Sequence, residues 1–150
     1  MLNIDESAQK GVKLGPFTVT RNDIRQFAEA MGDIHPYYID AEVAQKAGYA
    51  DVIAPPMFCM RLRGGRMLPE VTLPSGLTSL HAGQEIEFYD EIVAGGRYTI
   101  TARVADVYEK TGRSGSMDII VRESVVRDAT DRTIITIRER QIVRSPEKKL

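Results

Sequence analysis

The stretch RYTITARVADVYEK, residues 97–110, decides the fold. Tyr98, Ile100, Ala102 and Val104 alternate with Arg97, Thr99, Thr101 and Arg103. A period of two sends the first set to one face and the second to the other, so the segment reads as a strand with one buried and one wetter face. Three further strand candidates flank it: LHAGQEIEFYDEIV (80–93) before it, SGSMDIIVRESVVRD (114–128) and RTIITIRERQIVRS (132–145) after it. Gly95-Gly96, EKTGRSG and DATD, the connections, are rich in turn formers. Consecutive long strands joined by short turns are expected to pair as an antiparallel meander.

Upstream the period becomes helical. After a short strand-like piece around PFTVT, the segment TRNDIRQFAEAMGD (20–33) reads as a helix. Thr20 or Asn22 can cap it, Ile24, Phe27, Ala28 and Met31 recur at helical spacing, and Gly32 ends it. GDIHPYYID (32–40) is expected as a loop, followed by a short helix with Asp40 as N-cap and Gly48 as its stop. In YADVIAPPMFCMRLRGGRML (49–68), the pair Pro55-Pro56 suits the start of a helix. Met57, Phe58, Met60, Leu62 and Leu68 give that helix apolar surface nearly all round, so it wants to be wrapped. A long antiparallel sheet preceded by such a helix packs by curling around it, an α+β arrangement in one domain over 1–150. The sheet keeps an exposed edge strand, so a dimer is expected.

Composition narrows the functional class. The 150 residues carry a formal net charge of −1, with 43% hydrophobic and 27% charged residues. No clustered basic face points to nucleic acid, and no apolar run approaches the ~18 residues of a membrane span. The first residues, MLNIDESAQKG, lack the pattern of a signal peptide, and a cytoplasmic protein is expected. One cysteine, Cys59, and two distant histidines, His35 and His81, offer neither an internal disulfide nor a metal-ligand spacing. Cys59 reads as a small buried apolar residue and His81 as structural. Arg61, Arg63 and Arg66 read as a solvated basic face where the central helix ends.

Three pieces taken together resemble a known family: residues 27–58, FAEAMGDIHPYYIDAEVAQKAGYADVIAPPMF; residues 80–115, from LHAGQ to TGRSG; and the closing arginine-studded strand. They resemble the MaoC-like hydratases and dehydratases, in the branch of the MaoC-like dehydratase N-terminal domain, or fatty-acid-synthase-type dehydratase. The resemblance spans roughly residues 12–145. It implies a hot-dog fold, a long antiparallel sheet wrapped around a central helix. It also implies hydration of trans-2-enoyl thioesters, or dehydration of 3-hydroxyacyl thioesters, with coenzyme A or acyl carrier protein carrying the acyl group and no other cofactor.

Such a reaction needs a carboxylate and an imidazole gripping one water, and a backbone N–H polarising the thioester carbonyl. In active members the loop runs G-D-x-N-P-x-H. Carried over by position, Asp33 takes the place of the acid, His35 that of the Asn and Pro36 that of the Pro. The imidazole position falls on Tyr38, whose phenol, with a reference pKa near ~10, is a poor base at neutral pH. Active members also have a glycine N–H at the start of the central helix, within an H-G-M-like sequence. Here Pro55-Pro56-Met57 stands there, and Pro56 has no N–H to donate.

Both departures fit the branch's domains that act as the non-catalytic half of a double hot dog or heterodimer. The expectation is therefore an acyl-binding subunit lined by Tyr38, Pro56, Met57, Phe58 and Met60, paired with a catalytic MaoC-like chain. Two alternatives stay open: a self-sufficient homodimeric hydratase using Asp33 with His35 or Tyr38, and a non-enzymatic acyl-thioester-binding protein.

Overall fold

The computed structural model describes residues 2, 4–112 and 115–144 of the 150. Five strands, β1 (Val12–Thr18), β2 (Thr78–Phe88), β3 (Arg97–Gly112), β4 (Gly115–Arg127) and β5 (Thr133–Arg144), form one antiparallel sheet among the described residues. Ser114 and Ser145, expected at strand ends, lie outside them. In β3 the alternation holds as read: Tyr98, Ile100, Ala102 and Val104 are all buried. A register shift between Val104 and Asp106 then hands the inner face to Val107.

The strand order is β1-β3-β4-β5-β2. The expected meander holds for β3, β4 and β5, but β2 does not pair with β3. It lies on the far edge against β5, paired from Thr78 opposite Arg144 to Phe88 opposite Ile135, with a register shift between His81 and Gly83. The physical reason is the link 89–96, which is no tight turn but a strap hydrogen-bonded along its length. Tyr89 N–H donates to the Ile134 carbonyl (2.8 Å), Ala94 N–H to Val52 (3.0 Å) and Gly95 N–H to Val19 (2.7 Å). The strap crosses the mouth of the sheet, with Ile92 buried, and delivers the chain to β3 from the other side. There Gly96 is pressed against the Tyr98 ring, leaving no room for a Cβ. The Tyr98 hydroxyl in turn accepts from Val93 N–H at 2.8 Å.

Helix α2 (Arg21–Met31) is capped by Thr20, not Asn22. Thr20 Oγ1 accepts from Asp23 N–H (3.1 Å), and Asp23 Oδ2 accepts from Thr20 N–H (2.9 Å), a reciprocal capping box. Ile24 and Ala28 face the core, whereas Met31, expected on the same apolar face, is 58% exposed as the last residue of the helix. Short helices α1 (Glu6–Lys10), α3 (Pro36–Ile39) and α4 (Ala41–Lys46) complete the helical set. Asp5 caps α1, and Ala8 packs with Val104, Ile120 and Val143 in a second apolar cluster.

The central helix is shorter and tighter than expected. It is a 3-10 helix over Pro56–Arg63, stopped by Gly64 and Gly65, both with positive φ (65° and 70°). It is not apolar all round. Phe58, Cys59 and Leu62 pack against Tyr98, Ile100, Val126, Ile135 and Ile137 in the main core, while Pro56 and Met57 face outward. Burying Phe58, which meets the Phe27 ring edge-on at 5.4 Å, stabilises by about 1.5–3 kcal/mol. Leu68 is buried but lies beyond the helix.

Arg63 corrects another expectation: it is not solvated but 4% exposed, inside the sheet's curl. Its guanidinium grips Glu139 of β5 through both Nη atoms, and Glu139 is itself 3% exposed. Beside them buried Arg122 of β4 donates to the Gln141 side chain (2.6 Å) and to the Pro69 carbonyl (3.1 Å). The sheet thus wraps an apolar half, under Phe58, and a charged half, under Arg63. None of the described helices is long and apolar enough to cross a membrane.

Candidate functional site

The site begins where α2 stops. Gly32 adopts the left-handed conformation (φ 69°), and Asp33 N–H closes the turn on the Ala28 carbonyl at 3.0 Å. That leaves the Asp33 carboxylate exposed on the loop. His35 then caps α3, a single helical turn where a loop was expected, with Pro36 at its first position. His35 Nδ1 accepts from Tyr37 N–H at 3.2 Å, and its ring lies 4.6 Å from Tyr37 and 5.5 Å from Tyr38, centroid to centroid.

Two backbone bonds stitch this loop to the rest of the site. Ile53 N–H donates to the Tyr37 carbonyl (3.0 Å), and Ala54 N–H donates to the Ile92 carbonyl (2.8 Å). An isolated bridge also pairs Ile53 with Val93. The loop, the segment leading into the central helix and the strap after β2 are therefore held as neighbouring layers. Through them the structure brings together Asp33, His35 and Tyr38, the helix start at Pro56-Met57, and Glu91.

Glu91 was not foreseen. It sat inside a stretch read as continuous strand, and its one cue was an acidic pair, Asp90-Glu91, just ahead of Gly95-Gly96. Burial raises its carboxyl above the usual range, and the neighbouring Asp90 charge adds to the rise. Tyr38 is moved in the same direction. Burial is the larger cause, followed by the negative charges of Asp33 and Glu91 and then by the neighbouring Tyr49 phenol. A phenol in such surroundings gives up its proton less readily than in water, so Tyr38 is suited to donating a hydrogen bond and unsuited to acting as a base.

His35 fares little better as a base. A neutral imidazole that accepts at Nδ1 carries its proton on Nε2, so the nitrogen left over is a donor. The lone pair that would abstract a proton is spent on capping α3. The loop therefore retains a carboxylate, Asp33, without a free imidazole lone pair.

At the helix start, Pro55 is buried and Pro56 supplies no N–H. The first bond of the helix runs from Phe58 N–H to the Pro55 carbonyl (2.9 Å), so Met57 N–H stands ahead of it, the position that helix geometry leaves without an intrahelical partner. Of the five residues expected to line an acyl site, Pro56 and Met57 are exposed and Tyr38 is half-buried next to the loop. Met60 is half-buried, its sulfur 3.6 Å from Arg63 Nη2, and Phe58 is packed into the main core, 2% exposed. Cys59 is fully buried, and burial pushes its thiol up to about 11, which makes it inert as a nucleophile at neutral pH.

The chain matches the family described as "FAS1-like, dehydratase domain region" over residues 8–137. It is 33% identical over 136 residues to a UPF0336 protein of Streptomyces griseus subsp. griseus, covering 88% of each chain. Among solved structures, it is similar to the ChsH1-ChsH2 complex from Mycobacterium tuberculosis. That likeness has a TM-score of 0.72 and 21% identity, over 92% of this chain and 85% of that one. It is also similar to the C-terminally truncated HadBC (3R-hydroxyacyl-ACP dehydratase) complex of the same organism. There the TM-score is 0.68 and the identity 20%, over 88% of this chain and 95% of that one. The chain belongs to the FAS1-like dehydratase family and has the hot-dog fold of the MaoC-like dehydratases.

Proposed function

From that membership, we propose that the chain is the acyl-binding, non-catalytic subunit of a trans-2-enoyl-thioester hydratase or 3-hydroxyacyl-thioester dehydratase. A MaoC-like partner supplies the catalytic acid and imidazole. The observation that carries this reading is the state of the loop: Asp33 is present, His35 has its Nδ1 lone pair committed to α3, and the Tyr38 phenol is pushed away from basicity. Hydration places the water oxygen on C3 and a proton on C2 while charge builds on the thioester oxygen, and for these proton transfers this loop offers the Asp33 carboxylate alone, without an imidazole lone pair beside it. What it keeps is a surface that can seat the thioester: Met57 N–H as a donor toward the carbonyl oxygen and Tyr38 Oη as a second one.

Pairing is supported by the edge of the sheet. Strand β2 exposes Leu80 and Phe88, followed by Tyr89, along a row of backbone groups with a neighbour on one side only. Two of the similar structures are, by their names, complexes of two different chains. A cytoplasmic setting is part of the proposal, in keeping with the free thiol of Cys59.

The test is a hydration assay with short and long trans-2-enoyl-CoA, followed by loss of the enoyl absorbance. The chain alone is expected to give no turnover, and addition of a MaoC-like chain with an intact D-x-N-P-x-H loop is expected to give it. Turnover by the chain alone that disappears in Asp33→Asn overturns the proposal in favour of a self-sufficient enzyme.

A further inference from the structure

A cavity of about 390 Å³ opens at the other end of the central helix, away from the loop, between that helix, β1 and the start of α2. Its size lies within the range of small-molecule sites, about 300–1,000 Å³. Leu14, Phe17, Val19, Phe58 and Leu62 give it apolar walls. Among its remaining lining residues, three guanidiniums, Arg61, Arg63 and Arg66, face one carboxylate, Asp23.

The charges do not cancel within the cavity. Asp23 Oδ2 is taken up by Thr20 (2.9 Å from its N–H, 2.6 Å from its hydroxyl), leaving Oδ1 to Arg61 at 3.3 Å. Among the described residues Arg66 reaches Glu70, at 3.4 Å, with both side chains mostly exposed, a pairing of little worth. Arg63 is held from behind by Glu139. Its Nε is buried and has no hydrogen-bond partner among the described residues. A buried donor without an acceptor is uncommon, and here it belongs to a residue lining an apolar cavity. Arginine forks favour carboxylates and phosphates over neutral acceptors.

We infer that this cavity binds an amphiphile: an unbranched apolar chain lies along Leu14, Val19, Phe58 and Leu62, and an anionic head group, carboxylate or phosphate, is held by Arg61 and Arg66 with Arg63 behind them. The site is separate from the Asp33 loop and stands whether or not the chain needs a catalytic partner.

The test is calorimetric titration of the full chain with decanoate, decyl phosphate and decanol, each below its aggregation threshold. Saturable binding of decanoate or decyl phosphate at one site per chain is expected, with decanol at least about tenfold weaker, the worth of one charge-assisted hydrogen bond. The tighter of the two anions identifies the head group as carboxylate or phosphate. Arg66→Gln, at an exposed position that threatens no packing, is expected to weaken the anion about tenfold. Leu14→Trp, which fills the cavity from the half-buried edge strand, is expected to abolish binding while thermal unfolding stays cooperative. Arg103→Gln, on β3 away from the cavity, serves as the control and leaves binding unchanged. Absence of saturable binding, decanol binding as tightly as decanoate, or equal affinity in Arg66→Gln and wild type overturns the inference.

Discussion

Replacing Glu139 with glutamine removes the one carboxylate that two buried guanidiniums share. Arg63 is bonded to it directly. Arg122, whose proton burial makes easier to lose, feels the Glu139 charge as a stabilising influence and the Arg63 charge as an opposing one. Both partners of the direct pair are almost completely removed from water, so solvent offers little relief. Breaking a buried pair by deleting one charge costs about 3–5 kcal/mol, and Glu139→Gln strands two cations, so it is expected at the upper end. Arg63→Met is the instructive contrast. It takes away the two guanidinium bonds to Glu139 and leaves His81 Nε2 at 4.0 Å and the charge of Arg122 as partial compensation, so the cost is expected at the lower end, about 3 kcal/mol. In urea, with a slope of about 2 kcal/mol/M, the two variants should lower the midpoint by about 2.5 M and about 1.5 M respectively. Equal slopes would confirm that the native fold is kept. An inverted order, with Arg63→Met the more damaging, or both variants within about 0.5 kcal/mol of wild type, would refute the idea that Glu139 balances two cations.

Other perturbations test separate parts of the account. Gly96→Ala places a methyl within 2.6 Å of the Tyr98 ring carbon Cζ in a buried corner. It should cost about 1–3 kcal/mol, and the Gly96→Ala/Tyr98→Leu pair should cost less than the sum of the singles in the same urea assay. Thr20→Ala removes one side of the α2 capping box and should cost about 1 kcal/mol by thermal melting. Asp128, held at about 2 first by the Thr130 hydroxyl and also by the Arg132 and Thr130 N–H groups and the Arg132 side chain, has a folded value below its ordinary 3.8. Its contribution is present above pH 3.8 and fades as pH falls toward 2, so Asp128→Asn should flatten the acid limb of a stability profile in that window. Cys59, raised to about 11, should resist a thiol-specific disulfide reagent at pH 8 in the native protein and react at once in denaturant.

How far the fold was legible depended on whether its cause was local. The alternation in 97–110 and its three companions located the strands, because side-chain period is a property of a few consecutive residues. It could not place β2: alternation says which face a residue takes and nothing about which strand lies alongside. That was decided by the strap 89–96, whose hydrogen bonds reach Val19, Val52 and Ile134. The spacing of Met57, Leu62 and Leu68 predicts a longer and more apolar central helix, because it places all three on one cylinder. Gly64-Gly65 end it first. Arg63 looked like a helix-end charge since its partner, Glu139, is 76 residues away.

At the site, the motif correspondence singles out Asp33, His35, Tyr38 and Pro56 as candidates, whereas the two facts that bear on their chemistry are spatial. One is the Tyr37 N–H donated to His35, which needs the α3 turn that the loop reading lacked. The other is the arrival of Glu91 beside Tyr38 from across the chain.

The central claim is that this chain shapes the acyl site while another chain performs the proton transfers. Its most direct test is a two-chain hydration assay with a MaoC-like partner, in which the loop aspartate is changed to asparagine in one chain at a time. The account predicts that Asp33→Asn leaves kcat essentially unchanged and that the same change in the partner abolishes it. Loss of kcat on Asp33→Asn, with assembly of the two chains intact, would contradict it.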